Sequence, residues 1–99
     1  MKLTKYAFMM IGEGYTPAQV ATLDSGSFST TVVCIENIEM ACEEAKKLVP
    51  QGIQLIELCG AFKGDMIDAV INAVDGQIPV GNMGMREEER AKFISFIQS

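Results

Sequence analysis

The stretch Gly52-Ile53-Gln54-Leu55-Ile56-Glu57-Leu58-Cys59-Gly60-Ala61-Phe62 combines the signs of a buried strand with those of a sharp turn. Apolar residues dominate it as far as Leu58, and Gly60 then breaks the run. Short apolar runs of this kind are typical of strands that are covered on both faces. Glu57 is the exception within the run, and a carboxylate in that setting is the strongest functional hint in the chain.

The segments on either side of this strand predict an α/β fold in a single domain that spans residues 1–99. Strands and helices alternate four times, which favours a four-stranded, mainly parallel sheet flanked by helices. The predicted strands are Leu3–Met10, Phe28–Ile35, Ile53–Leu58 and Ile78–Gly81, and the predicted helices are Pro17–Leu23, Ile38–Val49, one that begins near Asp65 and carries Ile67, Val70, Ile71 and Val74, and Arg86–Ile97.

The first of these helices is predicted from local signals. Thr16 is a suitable N-cap, and Pro17 suits the first helical position. In the last helix, Phe93, Ile94 and Ile97 form an apolar stripe that we expect to face inward, with Phe96 at its margin.

Two strand orders are compatible with this pattern. The order 2-1-3-4 would place helices on both faces of the sheet, whereas 1-2-3-4 would place every helix on one face. The second order would leave the other apolar face free for a partner subunit. We favour the first order, with a homo-oligomer built upon it, because a chain of 99 residues has a small core.

Composition excludes several classes of function. The net charge is −5 and the acidic residues are spread along the chain, which disfavours nucleic acids and anionic membranes as partners. There is no histidine, so Ser-His and Cys-His nucleophile pairs are absent. Three cysteines without a Cys-x-x-Cys motif, and an apolar N-terminal run too short to span a membrane, predict a cytoplasmic protein.

The carboxyl ends of the strands are where an open parallel sheet binds its ligands. Residues at or near those ends therefore predict a small-molecule site. The candidate ligand-binding residues are Gly12, Glu57, Cys59, Gly60 and Asn82.

Glu57 is also the candidate catalytic residue, since it shares a strand face with Ile53 and Leu55. Burial there would raise its pKa and suit a general acid or base. The alternative is structural: the carboxylate would sit at the rim and bind a helix N-terminus, Lys63 or Arg86. For Cys59 a structural role is favoured over a reactive thiol.

No cofactor or metal site is predicted. The sequence Gly12-Glu13-Gly14 lacks the third glycine of the dinucleotide fingerprint, and Gly60 to Gly64 lacks the lysine and serine of a P-loop. The spacing of Cys34, Glu36 and the residues of the later strand fits no established metal pattern.

Two resemblances add to this interpretation. The stretch from Gly52 to Phe62 resembles a strand and loop of (β/α)₈ barrels such as the tryptophan synthase α subunit, which implies an acid-base role for Glu57. That barrel pattern has glycine where this chain has Cys59, and the likeness covers about a tenth of the chain, whereas a barrel takes about 250 residues.

The second resemblance covers nearly the whole chain. It is carried by the apolar first strand with Gly12-Glu13-Gly14-Tyr15, by the runs 28–33 and 56–62, and by Ile78-Pro79-Val80-Gly81. These features are similar to a family of small bacterial proteins of unknown function, and the likeness implies no particular activity.

Three functions are compatible with these observations. The first is an uncharacterised α/β protein that binds a small molecule at the carboxyl edge of its sheet. The second is an oligomeric interaction module that assembles through its sheet or its last helix. The third is an enzyme that uses Glu57 as acid-base.

Overall fold

The structure is a computed structural model that describes residues 1–99. It contains five strands and three helices. In chain order they are β1 (Lys5–Ile11), β2 (Gln19–Asp24), β3 (Ser29–Ile35), α1 (Ile38–Leu48), β4 (Leu55–Leu58), α2 (Gly64–Ala73), β5 (Val80–Asn82) and α3 (Glu87–Gln98).

All five strands form one mixed sheet in the order β2-β3-β1-β4-β5. The four strands that were predicted run parallel to one another, and β2 alone is antiparallel. Without β2, the order is the favoured 2-1-3-4. The expectation that this order has helices on both faces is wrong, because α1 and α2 share one face and α3 packs on neither. The α/β class is thus confirmed, while the prediction of four strands in four β-α units is wrong in its first unit.

The correction concerns the predicted helix Pro17–Leu23, where the chain instead forms strand β2. A helix of seven residues gains little stability from its own hydrogen bonds, so pairing with distant residues decides whether such a segment becomes a helix or a strand. Val20 and Thr22 are β-branched and suit a strand, and Thr22 bonds to the Thr31 hydroxyl across the ladder at 3.2 Å. Pro17 follows a cis peptide bond and does not begin a helix.

The turn between β2 and β3 fixes this hairpin. The Asp24 carboxylate accepts the Gly26 amide at 2.7 Å, and the Ser25 amide donates to the Phe28 carbonyl at 3.0 Å. Gly26 has φ +93°, a left-handed conformation that glycine adopts without strain. The run Asp24 to Ser27 is therefore a hairpin turn and does not follow a helix.

Helices α1 and α2 pack side by side on one face of the sheet. Asn37 caps α1 by accepting the Met40 amide at 2.9 Å, as the Glu36-Asn37 pair before the helix suggests. Cys42 lies where the two helices meet, and its thiol donates to the Ala69 carbonyl at 3.6 Å. Asp75 and Gly76, which follow α2, both have positive φ and end the helical segment.

The hydrophobic core lies between the sheet and these two helices. It holds fourteen buried apolar residues in one cluster. They are Ala7, Met9, Val33, Ile35, Ala41, Ala45, Leu48, Ile53, Ile56, Leu58, Phe62, Val70, Val74 and Ile78.

Helix α3 differs from its prediction. Its predicted bounds agree with the structure within one residue, but none of its residues is buried. The stripe of Phe93, Ile94 and Ile97 faces away from the core of its own chain and is exposed.

The position of the core leads to a prediction about the stability of two variants. Ile56 is fully buried at the centre of β4, so Ile56→Ala should lower the free energy of unfolding by about 2–5 kcal/mol through lost burial and the cavity left behind. The control Ile71→Ala removes a side chain that is exposed on α2 and should change the free energy of unfolding by less than about 1 kcal/mol. Urea unfolding at one fixed protein concentration measures both, and equal losses would contradict this core.

Candidate functional site: the open face of the sheet and its carboxyl edge

One face of the sheet carries no helix. Side chains alternate along each strand, so that Ala7 and Met9 are buried under the helices while Tyr6, Phe8 and Met10 project to the other side. We define the open face as the residues on that other side. They are Gln19, Ala21 and Leu23 of β2, Thr30, Val32 and Cys34 of β3, Tyr6, Phe8 and Met10 of β1, and Leu55 and Glu57 of β4.

The strand register arranges these residues in rows across the sheet. Phe8 pairs with Val32 on one side and with Glu57 on the other. Tyr6 lies in the next row, where its ring packs against Phe28 with centroids 6.5 Å apart. The open face is thus an apolar surface in which Glu57 is the only charged residue.

Glu57 lies on this surface rather than in a pocket. Gly81 of β5 is its neighbour across the ladder, and a Cβ at Gly81 would stand 3.5 Å from the Glu57 Oε2. Partial burial of the ring, with a further contribution from the Glu57 carboxylate, raises the pKa of the Tyr6 hydroxyl above its usual value. The carboxylate and the phenol are therefore close neighbours on the open face.

At the carboxyl edge, Gly12 and Cys59 lie on adjacent strands and serve the fold. The Cys59 thiol accepts the Ile11 amide at 3.4 Å, which extends the pairing of β1 with β4. A Cβ at Gly12 would stand 3.0 Å from the ring of Tyr15, so glycine makes room for that ring. Both contacts are intramolecular, and they give these two residues a structural role.

Gly60 and Asn82 lie beside each other at the same edge. The Met83 amide donates to the Leu58 carbonyl at 3.0 Å, which brings the segment after β5 against the turn after β4. A Cβ at Gly60 would stand 3.9 Å from the Met83 carbonyl oxygen, an ordinary contact. The Asn82 residue is exposed and pairs in register with Leu58.

Glu36, which follows β3 at this edge, holds the loop after β1. Its carboxylate accepts the Thr16 hydroxyl and, at 3.0 Å, the Gly14 amide. These two bonds, the hydroxyl first, keep the pKa of Glu36 below its usual value. No three Cys, Asp or Glu side chains lie close enough together to hold a metal ion.

The structure therefore brings Gly12, Cys59, Gly60 and Asn82 together along one edge, and it places Glu57 on the adjoining open face. Two surface hollows lie away from this edge and from Glu57. One is lined by residues of α3, including Ala91 and Ile94, and the other by the β2-β3 turn, including Leu23 and Phe28.

Sequence reasoning did not single out Tyr6, Phe8 and Val32, which form the centre of the open face. The signal was present in β1, where apolar residues occupy both faces of the strand. Because both faces of the sheet were expected to be covered by helices of the same chain, Tyr6, Phe8 and Val32 were not considered as surface residues. Met83 and Met85, in the segment after β5, are exposed.

The sheet is mostly parallel, with helices on one side and a bare apolar face on the other. This arrangement defines a small α/β protein in which one face of the sheet has no covering layer. None of its helices has the length and apolar character to cross a membrane. Residues 4–98 match DUF6506, a family of unknown function, and the chain belongs to that family. This confirms the resemblance to such a family, whose bacterial origin stays a prediction. Comparison with curated proteins found none that matches.

The neighbourhood of Tyr6 and Glu57 can be tested by titration. In a Tyr15→Phe background, which leaves Tyr6 as the single tyrosine, Glu57→Gln should move the pKa of Tyr6 down towards its usual value. The reason is that removing a negative charge makes the phenolate less unfavourable. Ultraviolet absorbance against pH measures the shift. Glu88→Gln on α3 is the control, and an unmoved Tyr6 pKa in the Glu57 variant would contradict the arrangement.

Proposed function

We propose that the protein is an interaction module that assembles with a second copy of itself through the open face. The observation that carries this proposal is that the sheet is covered on one side only. Phe8 and Met10 lie on the central strand β1, and Val32 lies on its neighbour β3, without a covering layer. An apolar sheet face of this kind is normally buried against another layer of secondary structure.

The surface area of the chain supports the proposal. A folded monomer of 10.8 kDa exposes about 5,500 Å² on average. This chain exposes 6589 Å², an excess of about 1,000 Å². A specific protein interface of standard size buries about 800 Å² on each partner, so the excess, to which both the open face and α3 contribute, is comparable to what one partner buries in such an interface.

The chemistry of the open face favours a second copy over other partners. No lysine or arginine belongs to it, so it offers no phosphate-binding group to a nucleic acid or an anionic membrane. A two-fold dimer buries the same residues on both subunits, and a second copy can cover a nearly uncharged apolar patch such as this one without like-charge repulsion over most of its area.

The assembly can be tested with one charge on the open face. Met10 is 36% exposed on the central strand, so Met10→Lys should leave the subunit folded and bury an unpaired charge in the interface. The wild-type protein should sediment as a dimer or larger, and the variant should shift towards the 10.8 kDa monomer. Analytical ultracentrifugation over a range of concentrations measures the change.

The matched control is Ile71→Lys, since Ile71 is 41% exposed on the outer side of α2. We expect this variant to assemble like the wild type, and circular dichroism should show that both variants are folded. A wild-type protein that sediments as a monomer at all concentrations would refute the proposal, and so would equal dissociation of both variants.

The second candidate is the small-molecule function, which is favoured by the group of polar and small residues at the carboxyl edge. Asn82 and Gly60 are exposed there, and Glu57 lies on the adjoining face. A second subunit over that face would enclose the edge and turn it into a cleft, the usual form of a ligand site. An acid-base role for Glu57 belongs to this candidate, and loss of turnover with retained binding in Glu57→Gln would support it.

Native mass spectrometry of the gently purified protein tests this second candidate. The small-molecule function predicts a constant added mass on the wild-type oligomer, because an enclosed ligand dissociates slowly. Asn82→Ala should remove that mass, whereas the control Asn72→Ala, on the exposed side of α2, should retain it. An oligomer without added mass would contradict ligand binding and leave assembly as the function.

A further inference from the structure

Helix α3 is the second apolar surface that this chain leaves without a partner. Phe93, Phe96 and Ile97 are 47%, 78% and 59% exposed, and no residue of the helix is buried. An isolated helix of 12 residues is marginal in water, so α3 depends on packing against something to persist. Its apolar stripe shows which side packs.

The dimensions of α3 and of the open face agree. Twelve helical residues extend about 18 Å at 1.5 Å per residue. The seven residues of β1 or β3 extend about 23 Å, so the helix can lie along the face within its length. In this structure α3 projects from the subunit instead, and the radius of gyration is 14.3 Å, compared with about 13 Å for a compact chain of this size.

The charges of the two surfaces are complementary as well. Arg90 precedes Ile94 by four residues and Ile97 by seven, so it lies on the same side of α3 as the apolar stripe. The chain has two salt bridges, Lys47 with Glu44 and Lys92 with Glu89, so the Arg90 guanidinium has no acidic partner within its own subunit. Glu57 is the one charged residue on the open face.

We infer that two copies exchange their α3 helices. The stripe of Phe93, Ile94 and Ile97 of each copy packs on the open face of the other, and Arg90 binds the Glu57 carboxylate there. This inference rests on the proposed assembly and names the element that covers the face. Exchange of a terminal element is a common route to a dimer, because the contacts it forms are of the same kind that would form within one chain.

The competing arrangement places α3 on the open face of its own subunit. The four residues between Asn82 and Glu87 are a usual length for a strand-to-helix connection, so such closure is sterically open to the chain. It would produce a monomer with the same contacts. A decisive experiment must therefore distinguish a contact between two copies from a contact within one.

Charge reversal on each side of the contact makes this distinction. Glu57→Lys places two cations together, and Arg90→Glu places two carboxylates together, so each variant alone should dissociate at concentrations where the wild type is dimeric. A dimer that contains one copy of each variant has two exchanged contacts. One joins the introduced lysine to the introduced glutamate, and the other joins the native Arg90 to the native Glu57, so neither contact brings like charges together. Mixing should therefore restore a dimer that contains one copy of each variant, which native mass spectrometry identifies by its mass.

The control is Lys92→Glu, because Lys92 lies on the opposite side of α3 and pairs with Glu89. This variant should remain dimeric on its own and should not restore a dimer when mixed with Glu57→Lys. Circular dichroism of each separate variant checks that the subunits are folded before they are mixed.

The other outcomes contradict the exchange in different ways. A wild-type monomer whose stability falls in each single variant and returns when both reversals are in the same chain would show that α3 covers its own subunit. Single variants that remain dimeric would show that Arg90 and Glu57 do not meet, and the proposed assembly would then still stand on the Met10→Lys result. A wild-type monomer would remove both the assembly and the exchange.

Discussion

The arrangement of this molecule depends on how the chain connects β1 to β3. Two parallel neighbours require a crossover, and in most α/β proteins that crossover is a helix on one face of the sheet. Here the connection contains β2, which stays in the plane of the sheet and pairs with β3. Because no helix forms in this connection, nothing covers the face that such a helix would occupy, while α1 and α2 cover the other.

The same constraint explains how far the sequence could predict the fold. The positions of α1, α2 and β4 follow from local patterns, and the structure agrees with them except that β4 begins at Leu55, two residues after the predicted start at Ile53. Residues 17–23 carry a good helix start at Thr16 and Pro17, and the β-branched residues Val20 and Thr22 oppose it. Pairing with β3, which lies outside residues 17–23, makes this segment a strand.

Part of the candidate site could also be predicted from local patterns. The alternation within β4 places Glu57 on a definite face, and the carboxyl-edge rule brings Gly12, Cys59, Gly60 and Asn82 together. The role of Gly12 depends on the ring of Tyr15 above it, which a strand pattern does not show. An apolar stripe likewise reveals that α3 has a packing side, but it does not reveal which surface, or which copy, that side meets.

Glu57 has a further consequence for any partner of the open face. A carboxylate enclosed by Phe8 and a second apolar surface loses its hydration, and removal of a charge from water costs several kcal/mol unless a donor replaces the water. The Tyr6 hydroxyl lies near enough to contribute one donor. Apolar packing alone tolerates many relative positions of two surfaces, whereas a buried charge that needs a cation tolerates few. In the proposed assembly, Glu57 would therefore set the orientation of the covering element, and the apolar residues around Glu57 would supply the burial.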